Sequence, residues 1–141
     1  MSYESEAGWT RRSFLRGAFG AGIAVWVGAT RAEAGDAGAF AHPDPRPDVD
    51  GSKVLAAADV REDMAELFDG IRQIPHIADG LGCHCGCGAM PEMRSLLSCY
   101  EGIGMAQFCV ICSGEGRLAV SLHAEGHSLD EIRAAIDRRY G

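Results

Sequence analysis

Ser128-Leu129-Asp130-Glu131-Ile132-Arg133-Ala134-Ala135-Ile136-Asp137-Arg138-Arg139-Tyr140 reads as an amphipathic helix with a defined start. The Ser-x-x-Glu at 128–131 is a capping box, in which the Ser128 hydroxyl accepts from the Glu131 amide while the Glu131 carboxylate reaches back. Leu129, Ile132, Ile136 and Tyr140 then recur at helical spacing and form one apolar stripe. Working back along the chain, 107–124 reads as a second helix, weakened by Gly114 and Gly116 and ended at Gly126. Val60, Met64, Leu67, Phe68 and Ile71 define a further helical face in a segment that begins at Ser52. Pro75 interrupts it, leaving 74–81 for a short turn. No segment alternates like a strand, and no internal repeat is visible. The expected fold is mostly α: a small helical domain with a Cys-rich loop between helices.

The 141 residues are 47% hydrophobic and 23% charged, the composition of a folding chain. The net charge of -7 argues against nucleic acid as a partner, because phosphate binding needs a basic face. No run approaches the roughly 18 uninterrupted apolar residues of a membrane-spanning helix. A core built from residues 52–141 is marginal by buried area alone, so a metal or disulfides would matter to its stability.

The N-terminal region has the three parts of an export signal. Thr10-Arg11-Arg12-Ser13-Phe14-Leu15-Arg16 resembles the twin-arginine motif, with Arg16 where lysine is usual. A glycine-rich apolar stretch spans 17–30, and Ala32-Glu33-Ala34 is a small-x-small cleavage triplet. Residues 1–34 are therefore expected to be a twin-arginine signal peptide, engaging the twin-arginine translocase and signal peptidase and meeting the membrane only in transit. The destination would be periplasmic or otherwise extracytoplasmic. Residues 35–51 carry Pro43, Pro45 and Pro47 among acidic residues and read as an extended tether, with His42 a solvated linker residue. Residues 52–141 form the Cys-rich helical domain.

All six cysteines fall between positions 83 and 112: Cys83, Cys85, Cys87, Cys99, Cys109 and Cys112. In an extended segment, residues two apart point the same way, so Cys83, Cys85 and Cys87 can present sulfurs along one edge. Gly82, Gly86 and Gly88 let that backbone bend. Cys109 and Cys112 are three apart and share a helical face, and Cys99 is either a sixth sulfur ligand or a structural residue. Thiolates are soft ligands that select copper(I), zinc or iron–sulfur clusters. Copper(I) is preferred over zinc on cysteine excess and spacing. An iron–sulfur cluster is compatible with twin-arginine export, which carries folded, cofactor-loaded proteins. All six cysteines are candidate metal ligands.

Two other readings fit the same residues. An oxidising compartment makes disulfides the default for exported cysteines, and six allow fifteen pairings, so a disulfide-stapled interaction module is feasible. Cys109-Val110-Ile111-Cys112 at a helix start also fits a thiol–disulfide oxidoreductase, since the helix N-terminus stabilises a thiolate. The strands that normally precede such a motif are missing from the pattern. No serine-nucleophile elbow, phosphate loop, dinucleotide fingerprint or catalytic carboxylate pair is found, and no catalytic residues are assigned.

His84 lies between two cysteines and would point away from their shared edge. His76 and His127 read as packing and solvated residues. His123 is too far along its helix to share an ion with Cys112. Met90, Met93 and Met105 flank the cysteines, and thioethers bind copper(I), although methionine at such positions is usually core filler.

From about position 71 onward the chain resembles the exported bacterial family named for its Pro-Cys-Tyr-Cys-Gly-Cys motif. The resemblance runs through Gly82-Cys83-His84-Cys85-Gly86-Cys87-Gly88, Cys99-Tyr100, Cys109-x-x-Cys112, Ser128-Leu129-x-Glu131-Ile132-Arg133 and Tyr140. Gly82 stands where the family has proline, and His84 where it has tyrosine. The resemblance implies a domain of this kind in the exported fraction and points to metal binding; the cysteine cluster, read as a metal carrier, calls for a metal donor or acceptor protein as partner.

Overall fold

Apolar residues at helical spacing become buried faces in the protein. The computed structural model describes residues 41–141; the twin-arginine motif, the apolar stretch, the cleavage triplet and the start of the proline-rich segment lie outside the described residues. Four α-helices are found there: α1 (Ala65–Gln73), α2 (Pro75–Asp79), α3 (Val110–Ala124) and α4 (Leu129–Tyr140), with five 3-10 turns before and between them. No strand occurs among the described residues; Val54 and Glu101 form an isolated antiparallel bridge. The chain is thus mostly α, with the cysteine-rich segment between α2 and α3. No helix among the described residues is long and apolar enough to cross a membrane.

The helix boundaries differ from expectation where side chains hold the backbone elsewhere. α1 does not begin near Ser52. Short 3-10 turns at Ala57–Asp59 and Glu62–Met64 precede it. Arg61 is pinned in an extended conformation by Gln107, whose side-chain oxygen accepts from the Arg61 amide at 2.8 Å and whose carbonyl accepts from its guanidinium at 3.1 Å. Pro75 ends up in the first turn of α2, where its missing N–H costs nothing. α4 starts as expected: both halves of the capping box are present, with the Ser128 amide 2.8 Å from Glu131 Oε2 and the Glu131 amide 3.4 Å from Ser128 Oγ.

Leu67, Phe68 and Ile71 of α1, Ala119 of α3 and Ile132 and Ile136 of α4 are buried together with Leu96, Leu97 and Tyr100 from the segment between α2 and α3. Phe68 and Tyr100 meet edge to face, with ring centroids 4.8 Å apart. Gly114 and Gly116 do more than weaken α3. They let two tyrosines approach its backbone, because a Cβ at Gly116 would collide with Tyr100 Oη and one at Gly114 with Tyr140 Oη. Gly116→Ala is therefore expected to destabilise the protein despite a helix-propensity gain of about 1 kcal/mol. Overpacking of a filled site costs roughly 1–3 kcal/mol, and the Tyr100 hydrogen bond to the Cys112 carbonyl would be disturbed as well. Urea unfolding should show a lower midpoint with an unchanged slope.

The proline-rich segment is not a free tether from position 42 onward. His42, read from the sequence as solvated, has a side chain only 9% exposed. Its Nδ1 accepts from the Gly82 amide at 3.0 Å, and its Nε2 lies 3.0 Å from Asp137 Oδ1. Arg133 donates to the Pro43 carbonyl at 2.8 Å. Arg46 reaches Asp79, a fully buried carboxylate that also accepts from Ser95 at 3.1 Å and pairs with Arg94 at 2.9 Å. The prolines stiffen the strip, but its charged and polar side chains find fixed partners on α2, α4 and the loop after α2. This clamp sits directly against the start of the cysteine segment.

Burial alone would raise the Asp79 pKa; the hydrogen bonds from Arg46 and Ser95 and the charge of Arg94 outweigh it and hold the carboxyl below its ordinary range. A depressed carboxylate pKa contributes stability that is fully present above the unfolded value of about 3.9 and is lost as pH falls through the folded value. Acid titration of wild type should thus show a loss of stability below about pH 4 that is smaller in Asp79→Asn, which is already weaker at neutral pH.

Candidate metal centre

Three pieces of chain bring the cysteines together. Cys83 and Cys85 lie on the loop after α2, which is fixed by the Leu96 amide donating to the Leu81 carbonyl at 2.7 Å and by His42 on Gly82. Cys99 sits in the 3-10 turn Leu96–Tyr100. Cys112 lies in the first turn of α3, its carbonyl accepting from Tyr100 Oη at 2.8 Å. Tyr100 thus ties the turn that carries Cys99 to the helix that carries Cys112.

The sulfurs of Cys83, Cys85, Cys99 and Cys112 all lie within 4.8 Å of one another. Cys83 Sγ and Cys112 Sγ are 3.3 Å apart. A tetrahedron with metal–sulfur bonds of about 2.3 Å has edges of about 3.8 Å, so four thiolates need move only slightly to enclose one ion. Cys83, Cys99 and Cys112 are buried and Cys85 is half-buried, so the group is closed on the inside and reachable through Cys85. The four thiols can hold a metal ion.

Cys87 and Cys109 are not in the four-sulfur group. The local backbone gives the reason. The chain turns over His84–Gly86, with Gly86 left-handed at φ 84°, and Cys87 begins a 3-10 turn instead of continuing an extended edge with Cys83 and Cys85. Cys109 is not in α3 but is the extended residue that precedes it, with φ -116° and ψ 114°. Both remain neighbours of the group: the Cys87 amide and thiol engage Cys85, with N···Sγ at 3.4 Å, and the Cys109 thiol engages Cys112. The six cysteines therefore form a continuous patch, with Cys83, Cys99 and Cys112 buried and Cys85, Cys87 and Cys109 half-buried.

The thiols differ in how readily they ionise. Cys83 is pushed well up by its hydrogen bond with Cys112, by burial and by the Glu115 carboxylate beside it. Cys112 and Cys99 are raised too: at Cys112 the bond with Cys83, and at Cys99 the bond with Cys112, act in the opposite direction and are outweighed. Cys87 is raised to about 11, chiefly because it donates to Cys85. Cys85 is lowered: burial opposes its ionisation, but hydrogen bonds from Cys87, Cys83 and Cys112 overcome that.

Glu115 is the feature sequence reading missed. It is fully buried on α3, one turn beyond Cys112, with Oε1 accepting from the His84 amide at 3.0 Å and lying 2.6 Å from His84 Nδ1. His84 Nε2 is 3.2 Å from Asp137 of α4. His84 is not idle. The His84–Glu115 contact fixes the backbone between Cys83 and Cys85. The signal was present: Glu115 is three residues after Cys112, on the stripe that Gly116 and Ala119 continue into the core. His76 and His123 are exposed, and His127 is 40% exposed near Glu131.

Comparison with known proteins found no matching family model, curated protein or solved structure. What can be said of function rests on this chain's own residues.

Proposed function

We propose that the protein is an exported thiolate metal-binding protein whose preferred cargo is copper(I), acting in storage, delivery or resistance. The observation that supports it is the convergence of Cys83, Cys85, Cys99 and Cys112 to within 4.8 Å of one another. Four thiolates of one sign hold a soft cation well and have little use for a hard one. Copper(I) is preferred to zinc because two further thiols, Cys87 and Cys109, adjoin the group, and one zinc site needs only four. With Cys85 and Cys112 as shared neighbours, the rim pair would extend the site to additional ions. The separation of the four sulfurs suits a single ion better than a four-iron cluster, which would place each cysteine on a different iron. Binding displaces protons from Cys83, Cys99 and Cys112, whose thiols are raised, so affinity should fall as pH falls.

Export rests on Thr10-Arg11-Arg12-Ser13-Phe14-Leu15-Arg16 and Ala32-Glu33-Ala34, which would route a folded domain through the twin-arginine translocase and present signal peptidase with a site after Ala34. The motif order shared with the Pro-Cys-Tyr-Cys-Gly-Cys family fits this destination. In an oxidising compartment a bound metal would protect the thiols, and a donor or acceptor protein would exchange it there.

A second reading, thiol–disulfide exchange, is favoured by the 3.3 Å between Cys83 Sγ and Cys112 Sγ, since a bond of about 2.05 Å requires a closure of little more than 1 Å. Intact mass of protein recovered from the extracytoplasmic fraction, under native and denaturing conditions with thiol titration, separates the two. Bound metal, with thiols appearing on chelation, is expected. Metal-free protein with its cysteines paired in disulfides would overturn the metal reading, and a single bridge that opens with a dithiol would favour exchange.

A further inference from the structure

Met90, Met93 and Met105 line one open groove of about 320 Å³, together with Glu92 and Glu101. Met90 is 42% exposed, and Met93 and Met105 are half-buried. Met90 and Met105 stand outside the core, whereas Met93 is half-buried against it, as is Met64, which also accepts a contact from Arg117 at 3.6 Å. The groove is held by the turn in which the Met93 amide donates to the Met90 carbonyl at 3.0 Å, and by the 3-10 turn that begins at Met105. Met93 also lines the neighbouring cavity, of about 280 Å³, whose wall includes Cys83. Met93 therefore lines both a solvent-open groove and the cavity walled by Cys83.

We infer that Met90, Met93 and Met105 form a thioether capture site for a soft monovalent cation, with Met93 the step between that site and Cys83. Thioethers are neutral and soft. They take copper(I) or silver(I) and leave zinc and hard cations in solution. Glu92 and Glu101 give the groove a negative field that draws a cation without offering it a soft ligand. Three neutral sulfurs bind more weakly than four thiolates, so the ion passes inward along a gradient of affinity. No bond is made or broken other than metal–sulfur coordination, and the protons displaced at the cysteines leave to solvent. This inference rests on the thiolate metal reading above.

The test uses the full-length reduced chain with carbon-13-labelled methionine methyl groups, titrated with silver(I) in chloride-free buffer and, separately, with zinc(II). Resonances are assigned by single leucine variants. The methyl groups of Met90, Met93 and Met105 are expected to shift with silver(I) while Met64 stays in place, and zinc(II) should leave Met90 and Met105 unmoved. In the triple variant Met90→Leu, Met93→Leu and Met105→Leu, silver–thiolate absorbance should rise more slowly and reach the same end point. Leucine preserves the apolar volume, so a folded triple variant is expected, and the single variants give the same readout if it is not. Normal thiol loading with static methionine methyls and an unchanged rate would overturn the capture site and leave the thiolate reading intact. Methionine shifts without thiol loading would instead remove the thiolate reading and the inward step. Neither response would remove both.

Discussion

Cys112→Ser is expected to weaken binding of the first soft metal ion at least about a hundredfold. A structural four-thiolate site supplies about 10–16 kcal/mol in all, so each ligand carries about 3 kcal/mol, which is two decades in dissociation constant. Cys112 is the most connected of the sulfurs: it lies 3.3 Å from Cys83 and engages Cys99 and Cys109 as well. Serine is nearly isosteric, and the Cys112 carbonyl still accepts from Tyr100, so the fold should survive the change. Cys99→Ser should behave alike. Cys87→Ser and Cys109→Ser should leave the first ion's affinity within about tenfold and lower only the total number of ions held, because their sulfurs stand outside the group of four. Competition titrations against a chromophoric copper(I) chelator, with circular dichroism as a check on folding, read both quantities. A uniform effect at all six positions would contradict the division into core and rim.

The second large effect concerns Glu115. Its side chain is 0% exposed and that of His84 only 5%, and they meet at 2.6 Å. Glu115→Ala leaves a buried histidine and the His84 amide without their acceptor. Breaking a buried pair from one side costs about 3–5 kcal/mol. Much of the stability of a domain this size would go, and thermal unfolding should show it. Glu115→Gln keeps one oxygen for the His84 amide and should lose clearly less. Because His84 lies between Cys83 and Cys85, the alanine variant should also bind metal more weakly than its stability alone explains. The double variant His84→Leu with Glu115→Leu is the control: it removes both polar partners, and recovery of stability without recovery of metal affinity would separate the two roles.

Local signals in the sequence identified the helices well, because each rests on neighbours in the chain. The Ser128–Glu131 box and the Ile132–Ile136 stripe specify α4 completely. The Leu67, Phe68 and Ile71 spacing locates α1, although its start was set by the distant Gln107 holding Arg61, which no local pattern reveals. Clustering and spacing made all six cysteines candidate ligands, but which four converge was not legible, because it depends on the turn over His84–Gly86 and on where the fold places Cys99. Gly114 and Gly116 looked like helix weakeners and are clearances for tyrosines that lie 16 and 26 residues away in the chain, Tyr100 before Gly116 and Tyr140 after Gly114. His42 and Arg46 looked like linker residues for the same reason: their partners Asp137 and Asp79 are remote in sequence. Long-range pairing of polar groups carries no periodicity, and that is where expectation and structure part.

Enclosure of a metal ion by Cys83, Cys85, Cys99 and Cys112 has a direct spectroscopic signature. X-ray absorption at the metal edge, on full-length reduced protein given one equivalent of copper(I) and desalted, tests it most directly. The ion is expected to be retained in a first shell made only of sulfur, with one sulfur fewer in the Cys112→Ser protein. A first shell of nitrogen and oxygen, or copper that leaves wild type on desalting, would contradict it.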